Sequence, residues 1–254
     1  MLTLFPAATT RPKPIGAGED RSRPTVTTQA LGRAVLDTTG TGLHARRVGD
    51  AQQPAVVGVA DHSGWVNLVT VATIEGRPVV VDRRRCELVD SAVPRQPYHA
   101  ADGLAAADAE ALVASVTEAA RSGARSALTA LCADVGHDCR VVALTLRAAR
   151  GRPLPDTVTG VLASHSAMHA AEGRLYRDAL AAAASERGLA LATYDRGTAI
   201  AVAATTLATT AERIAATITE LGRALGPPWR AEHREATAAA LCELAHHADL
   251  RVDV

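Results

Sequence analysis

Aromatic side chains are almost missing from this chain of 254 residues: one Phe, two Trp and three Tyr, with the single Phe at position 5. A core without rings must be assembled from Val, Leu, Ile and the 55 alanines. Lysine is nearly absent as well, Lys13 being the sole example among 27 basic residues. These are balanced by 27 acidic residues, and a formal net charge of zero excludes a generally basic nucleic-acid binder while leaving room for a local patch. No apolar run reaches the ~18 residues that would span a bilayer, so no membrane partner is expected. The opening MLTLFPAATTRPKP is too short and too proline-broken to read as a secretory signal, which makes a reducing cytoplasm the expected compartment. Four cysteines (Cys86, Cys132, Cys139, Cys242) form no CxxC pair and no zinc-ligand spacing, and Cys132 and Cys139, which flank His137 and Asp138, read as small thiols beside a loop.

What is present is ordinary for a globular chain: 48% hydrophobic and 21% charged residues, in a length that fits one domain with an appendage or two small ones. Residues 1–50 hold Pro6, Pro12, Pro14 and Pro24 with many threonines and no sustained period, the pattern of a disordered or poorly packed extension. From Pro54 the composition changes. Val56–Ala60 is a continuous apolar run, as expected of a strand covered on both faces. Asp61-His62-Ser63-Gly64 is a turn cluster, and Trp65–Val71 reads as a second strand. After Glu75-Gly76 a third strand runs over Arg77–Leu88, so that three strands with tight connections form an antiparallel meander.

The period then becomes helical. Leu104–Cys132 carries apolar residues at helical spacing, with Gly123 as a potential break. Val141–Leu146 is a fourth, buried strand. Thr157–Arg187 reads as one long alanine-rich helix capped by Gly188, Leu189–Tyr194 as a fifth strand, and Thr206–Leu225 as a helix stopped by Gly226-Pro227-Pro228. Ala231–His247 is the last helix. This β-β-β-α-β-α-β-α-α order predicts an α/β fold, a mixed five-stranded sheet with helices on both faces.

The order, with Asp61 ending the first strand, resembles the ribonuclease H-like (retroviral-integrase-like) superfamily, and within it the Holliday-junction resolvase branch. Gly64-Trp65 opens the second strand as in that family's first hairpin, the long helix over 157–187 stands between the fourth and fifth strands, and the last helix opens with Glu232-His233-Arg234-Glu235-Ala236. The segments GVADHSGW, VDRRRCELVD and GPPW are also similar to those of a group of bacterial proteins. The resemblance implies a ribonuclease H-like domain over 51–254, with divalent-metal-dependent phosphodiester hydrolysis of nucleic acid. In that chemistry carboxylates converge on two ions, magnesium or manganese. Asp61 would be one metal ligand and Glu232 or Glu235 another, since i and i+3 share a helix face, with His233 beside them in a catalytic role. The acid that the family carries near the fourth strand is absent: Leu146 is followed by Arg147-Ala148-Ala149-Arg150. The alternative reading is therefore a catalytically degenerate ribonuclease H-like fold that binds nucleic acid or a protein partner.

Two further constellations stand out. His165, His169 and Glu172 lie at i, i+4 and i+7 on one helix face, either as transition-metal ligands or as a solvated face with Glu172 paired to Arg174 or Arg177. Arg83 and Arg85 share one face of the third strand. With Arg147, Arg150 and Arg152 they form either an electropositive strip for a phosphate backbone or a set of ion pairs with Asp82, Glu87 and Asp90. The sequence is compatible with a homodimer and does not fix the oligomeric state. His62-Ser63 carries no nucleophile-elbow pattern, and sequence neighbours rarely face each other productively.

Overall fold

The computed structural model describes residues 52–149 and 151–252. The expected extension over 1–50 and the candidate phosphate contact Arg150 lie outside the described residues. Five strands, β1 (Gln53–His62), β2 (Trp65–Ile74), β3 (Arg77–Glu87), β4 (Cys139–Arg147) and β5 (Ala190–Tyr194), form one sheet in the order β3-β2-β1-β4-β5. The first three are an antiparallel meander, and β4 and β5 run parallel to β1. This is the mixed α/β sheet that the ribonuclease H-like resemblance implies.

The β2–β3 hairpin shows how local chemistry sets register. Glu75 (φ 53°) and Gly76 (φ 80°) both take the left-handed conformation that a tight two-residue turn between right-twisted strands requires. β1 and β2 are buried nearly throughout, because helices cover both faces. On one face, α2 (Ala106–Val135) and α4 (His165–Glu186) close over Val57, Val59, Val66, Leu68, Leu144 and Leu146. On the other, α5 (Ala199–Thr206), α6 (Ala211–Leu225) and α7 (Ala231–Leu244) close over Val56, Ala60, Val69, Val71 and Ala143. Two five-residue helices, α1 (Pro97–Ala101) and α3 (Val158–Leu162), complete the described chain.

Two glycines set how closely these layers approach. A Cβ on Gly58 would lie 2.0 Å from the Ala236 carbonyl oxygen, so α7 rests directly on β1 only because position 58 has no side chain. A Cβ on Gly123 would lie 2.2 Å from the Leu88 carbonyl oxygen. The expected break at Gly123 does not occur: α2 runs through it, and the glycine serves close packing against the end of the meander.

The expected helix over 157–187 is two helices, because Ser164 takes an extended conformation and its Oγ accepts the Ala167 N–H at 3.4 Å, capping α4. The expected helix from Thr206 begins only at Ala211, with Thr210 as its cap, and is preceded by a separate α5. No helix among the described residues is long and apolar enough to cross a membrane.

Candidate functional site

The carboxyl ends of the parallel strands β1 and β4 lie side by side, the edge at which open α/β sheets bind ligands. The last residues there are Asp61 and His62 on β1 and Arg147 on β4. Strand alternation sends Val57, Val59 and Asp61 to the α2/α4 face, and Val56, Gly58, Ala60 and His62 to the α7 face.

Asp61 is 8% exposed and held by two guanidinium groups. Arg177 of α4 donates from Nη1 to Asp61 Oδ2 at 3.0 Å. Arg147 Nη1 donates to the Asp61 carbonyl oxygen at 3.2 Å, and its Nε stands 3.8 Å from Asp61 Oδ1. Arg147, which follows Leu146 at the end of β4, is thus a cation that meets the acid at the end of β1. Asp61 takes up an arginine pair and not the turn hydrogen bonds from Ser63 and Gly64.

On the other face, His62 stacks on Trp65 with centroids 3.7 Å apart and planes 5° apart, and the Arg85 guanidinium lies 3.8 Å from the Trp65 ring centroid. This His62–Trp65–Arg85 arrangement joins β1, β2 and β3 at their common end. Burial, then the charge of Arg147, push the His62 imidazole below its ordinary value, against the opposing pull of Glu232 and Asp61. His62 Nε2, Arg147 Nε and Asp61 Oδ1 are all buried and have no hydrogen-bond partner among the described residues.

The acidic start of α7 is otherwise engaged. Glu235 Oε1 accepts the Gly197 N–H at 3.0 Å, anchoring the β5–α5 loop. His233 is buried, and its Nδ1 accepts the Arg230 N–H at 3.1 Å, which caps the helix. Burial lowers the His233 pKa, so the neutral acceptor form is the favoured one. Glu232 Oε1 lies 3.9 Å from His233 Nδ1. Among the described residues Asp61, Glu232 and Glu235 do not form a group in which all three carboxylates lie within 4.8 Å of one another. Asp61 faces α4 while the acids of α7 lie across the sheet.

The donor set therefore does not suit a pair of hard divalent ions. One candidate ligand is neutralised by two arginines, another accepts a backbone N–H, and a fixed cation stands at the end of β4. Magnesium and manganese need several convergent oxygen ligands.

Of the arginines expected to form a strip, Arg83 donates to the carbonyl oxygens of Gly226 (2.8 Å) and Pro228 (2.7 Å) in the α6–α7 loop. Arg84, on the α2 face, pairs with Asp82 and Asp134. Arg85 pairs with Glu87, which also receives Arg95. The part of the site that sequence reading missed is Arg177 and the Trp65 stack. Arg177 reads equally well as a partner for Glu172, and only the packing of α4 on β1 assigns it to Asp61.

No protein-family model matches the chain, and no curated protein matches it. Among solved structures the chain is similar to Thermus thermophilus RuvC in complex with a Holliday junction substrate, at 12% identity and a TM-score of 0.46, over 77% of this chain and 96% of that one. It is also similar to a second Thermus thermophilus RuvC structure, at 12% identity and a TM-score of 0.44, over 76% of this chain and 95% of that one. At these values neither likeness transfers a residue, a ligand or a reaction.

Proposed function

We propose that this chain is a ribonuclease H-like module that binds nucleic acid at the carboxyl end of its sheet and does not hydrolyse it through paired metals. The observation that carries the reading is the Arg177–Asp61–Arg147 arrangement. A carboxylate neutralised by two guanidinium groups offers no charge to a divalent ion, and the cation at the end of β4 repels one. No hydrolytic step is assigned to these residues.

Three features support a nucleic-acid ligand. The Arg85 guanidinium is stacked on Trp65 and half exposed, which leaves its outer plane available to a base. The Arg147 Nε–H has no hydrogen-bond partner among the described residues, with Asp61 Oδ1 at 3.8 Å, and a phosphate oxygen would complete it. Arg95, also half exposed, extends the cationic edge beyond Glu87. Binding through so few cations on a neutral chain is expected to be modest and salt-sensitive.

Fluorescence anisotropy of labelled four-way junction, duplex and single-stranded DNA and RNA, at low and physiological salt, tests the reading. Binding that weakens with salt, and that Arg85→Ala reduces by about 1–3 kcal/mol, is expected, with no cleavage on adding magnesium or manganese. Metal-dependent cleavage abolished by Asp61→Asn overturns the non-hydrolytic reading. Absence of binding at low salt to every probe overturns the nucleic-acid reading.

A further inference from the structure

A second polar centre lies on the same α2/α4 side, at the start of α4. Ser164 caps α4 so that His165 is its first residue, and His165, His169 and Glu172 follow along one face. The five-residue α1 brings His99 against them. The His99 ring centroid is 5.1 Å from that of His165 and 4.6 Å from that of His169, and the latter two are 4.6 Å apart. One ring nitrogen from each of the three lies within 4.8 Å of the others, the sole group of this kind among the described residues.

The hydrogen bonds around the cluster prepare it. Glu172 is 1% exposed, and its Oε1 accepts from both the His99 backbone N–H (3.3 Å) and His99 Nδ1 (2.8 Å). That pairing is not the one with Arg174 or Arg177 expected from helix spacing; those arginines go to Asp178 and Asp61. A carboxylate that accepts a hydrogen bond from Nδ1–H leaves His99 Nε2 with its lone pair, and His99 Nε2 is buried with no hydrogen-bond partner among the described residues. His165 Nε2 and His169 Nε2 stand 3.1 Å apart, so one of them holds a proton shared with the other. An ion between them takes both lone pairs, and that proton moves to the ring's other nitrogen.

We propose that His99, His165 and His169 bind a divalent transition metal of the zinc class, with Glu172 as the outer carboxylate that orients His99. Three imidazoles suit zinc, copper or nickel and not magnesium. A buried carboxylate behind a ligating imidazole fixes its tautomer and raises its basicity. Nitrogens on a tetrahedral zinc stand roughly 3.3 Å apart, close to the 3.1 Å that separates His165 Nε2 from His169 Nε2. His165 and His169 are exposed, so the fourth position faces solvent and takes water, the pattern of an open centre and not of a sealed structural one. The ion ties α1 to α4. This site is independent of the nucleic-acid reading.

Calorimetric titration of the full chain with zinc chloride tests the proposal, together with visible spectroscopy on adding cobalt(II). One zinc per chain is expected. Affinity should fall at least tenfold in His165→Ala and in His169→Ala, whose exposed side chains the fold does not need, and about 10–100-fold in Glu172→Gln. Cobalt should give the intense bands of a four- or five-coordinate nitrogen site. Absence of zinc binding by the wild-type chain, unchanged affinity in the His165→Ala/His169→Ala double variant, or only the weak spectrum of hydrated cobalt overturns it.

Discussion

Arg177 on α4 reaches 3.0 Å across to the carboxylate of Asp61 on β1, joining two residues 116 positions apart at the edge where the sheet would otherwise present a free acid. The pair decides the chemistry of that edge. With Arg147 on its other side, the Asp61 carboxylate is flanked by two guanidinium groups.

Removing one member of this pair leaves the other with incomplete partners. Arg177→Met is expected to cost about 1–3 kcal/mol, since Asp61 then keeps only the more distant Arg147. Asp61→Asn keeps the shape and is expected to cost about 1–2 kcal/mol. Urea unfolding of both single variants and the double should give less than additive losses, the sign of a direct interaction. Fully additive losses would show that the two residues act separately.

Gly58→Ala is expected to be among the most damaging small substitutions, at about 3 kcal/mol or more, because the new methyl meets the Ala236 carbonyl oxygen at 2.0 Å. The obstacle is backbone, so Ala236→Gly should not rescue it. Thermal unfolding of the single and double variants checks both statements.

Arg83 was a candidate phosphate contact, yet it holds the carbonyls of the α6–α7 loop. Arg83→Ala should therefore lower stability by about 1–3 kcal/mol and increase proteolytic cleavage near Pro227 and Pro228. If the proteolysis pattern and the urea midpoint stay unchanged while nucleic-acid binding drops, Arg83 contacts the ligand instead.

The buried His233 carries a pH dependence whose sign follows from its environment. Burial lowers its pKa in the folded chain, Glu232 opposes this, and Arg83, Arg230 and His62 reinforce it. The unfolded chain takes up the proton near the ordinary value of about 6.5, and the folded chain only at lower pH. Between those values the unfolded state holds more protons, so stability is complete above about pH 6.5 and falls as pH drops through the folded value. Protonation also removes the Nδ1 acceptor of the Arg230 N–H. His233→Gln keeps an acceptor without the titration, and it should flatten the loss of melting temperature between neutral and mildly acid pH. An identical slope in both proteins would assign the acid sensitivity elsewhere.

The sheet was legible in the amino-acid order. Apolar runs at 56–60 and 141–146, the Glu75-Gly76 turn and the change from period two to helical period specify five strands, their hairpins and the helices between them, because these are local consequences of burial and backbone preference. Periodicity distinguishes core from solvent, but it does not say which helix covers which face. Asp61 stands one residue from the position that would face α7, and the side on which α7 and α4 pack gives that single step its meaning. Arg177 and His99 join their partners over separations of 116 and 73 residues. His99 sits on a helix too short to leave a periodic trace, and Arg177 had an equally good local partner in Glu172. Composition and pattern by themselves determined the architecture. Only the packing of α4 and α1 decided that one acid is neutralised by arginines and that three imidazoles converge, since both results depend on contacts between distant segments that no local pattern encodes.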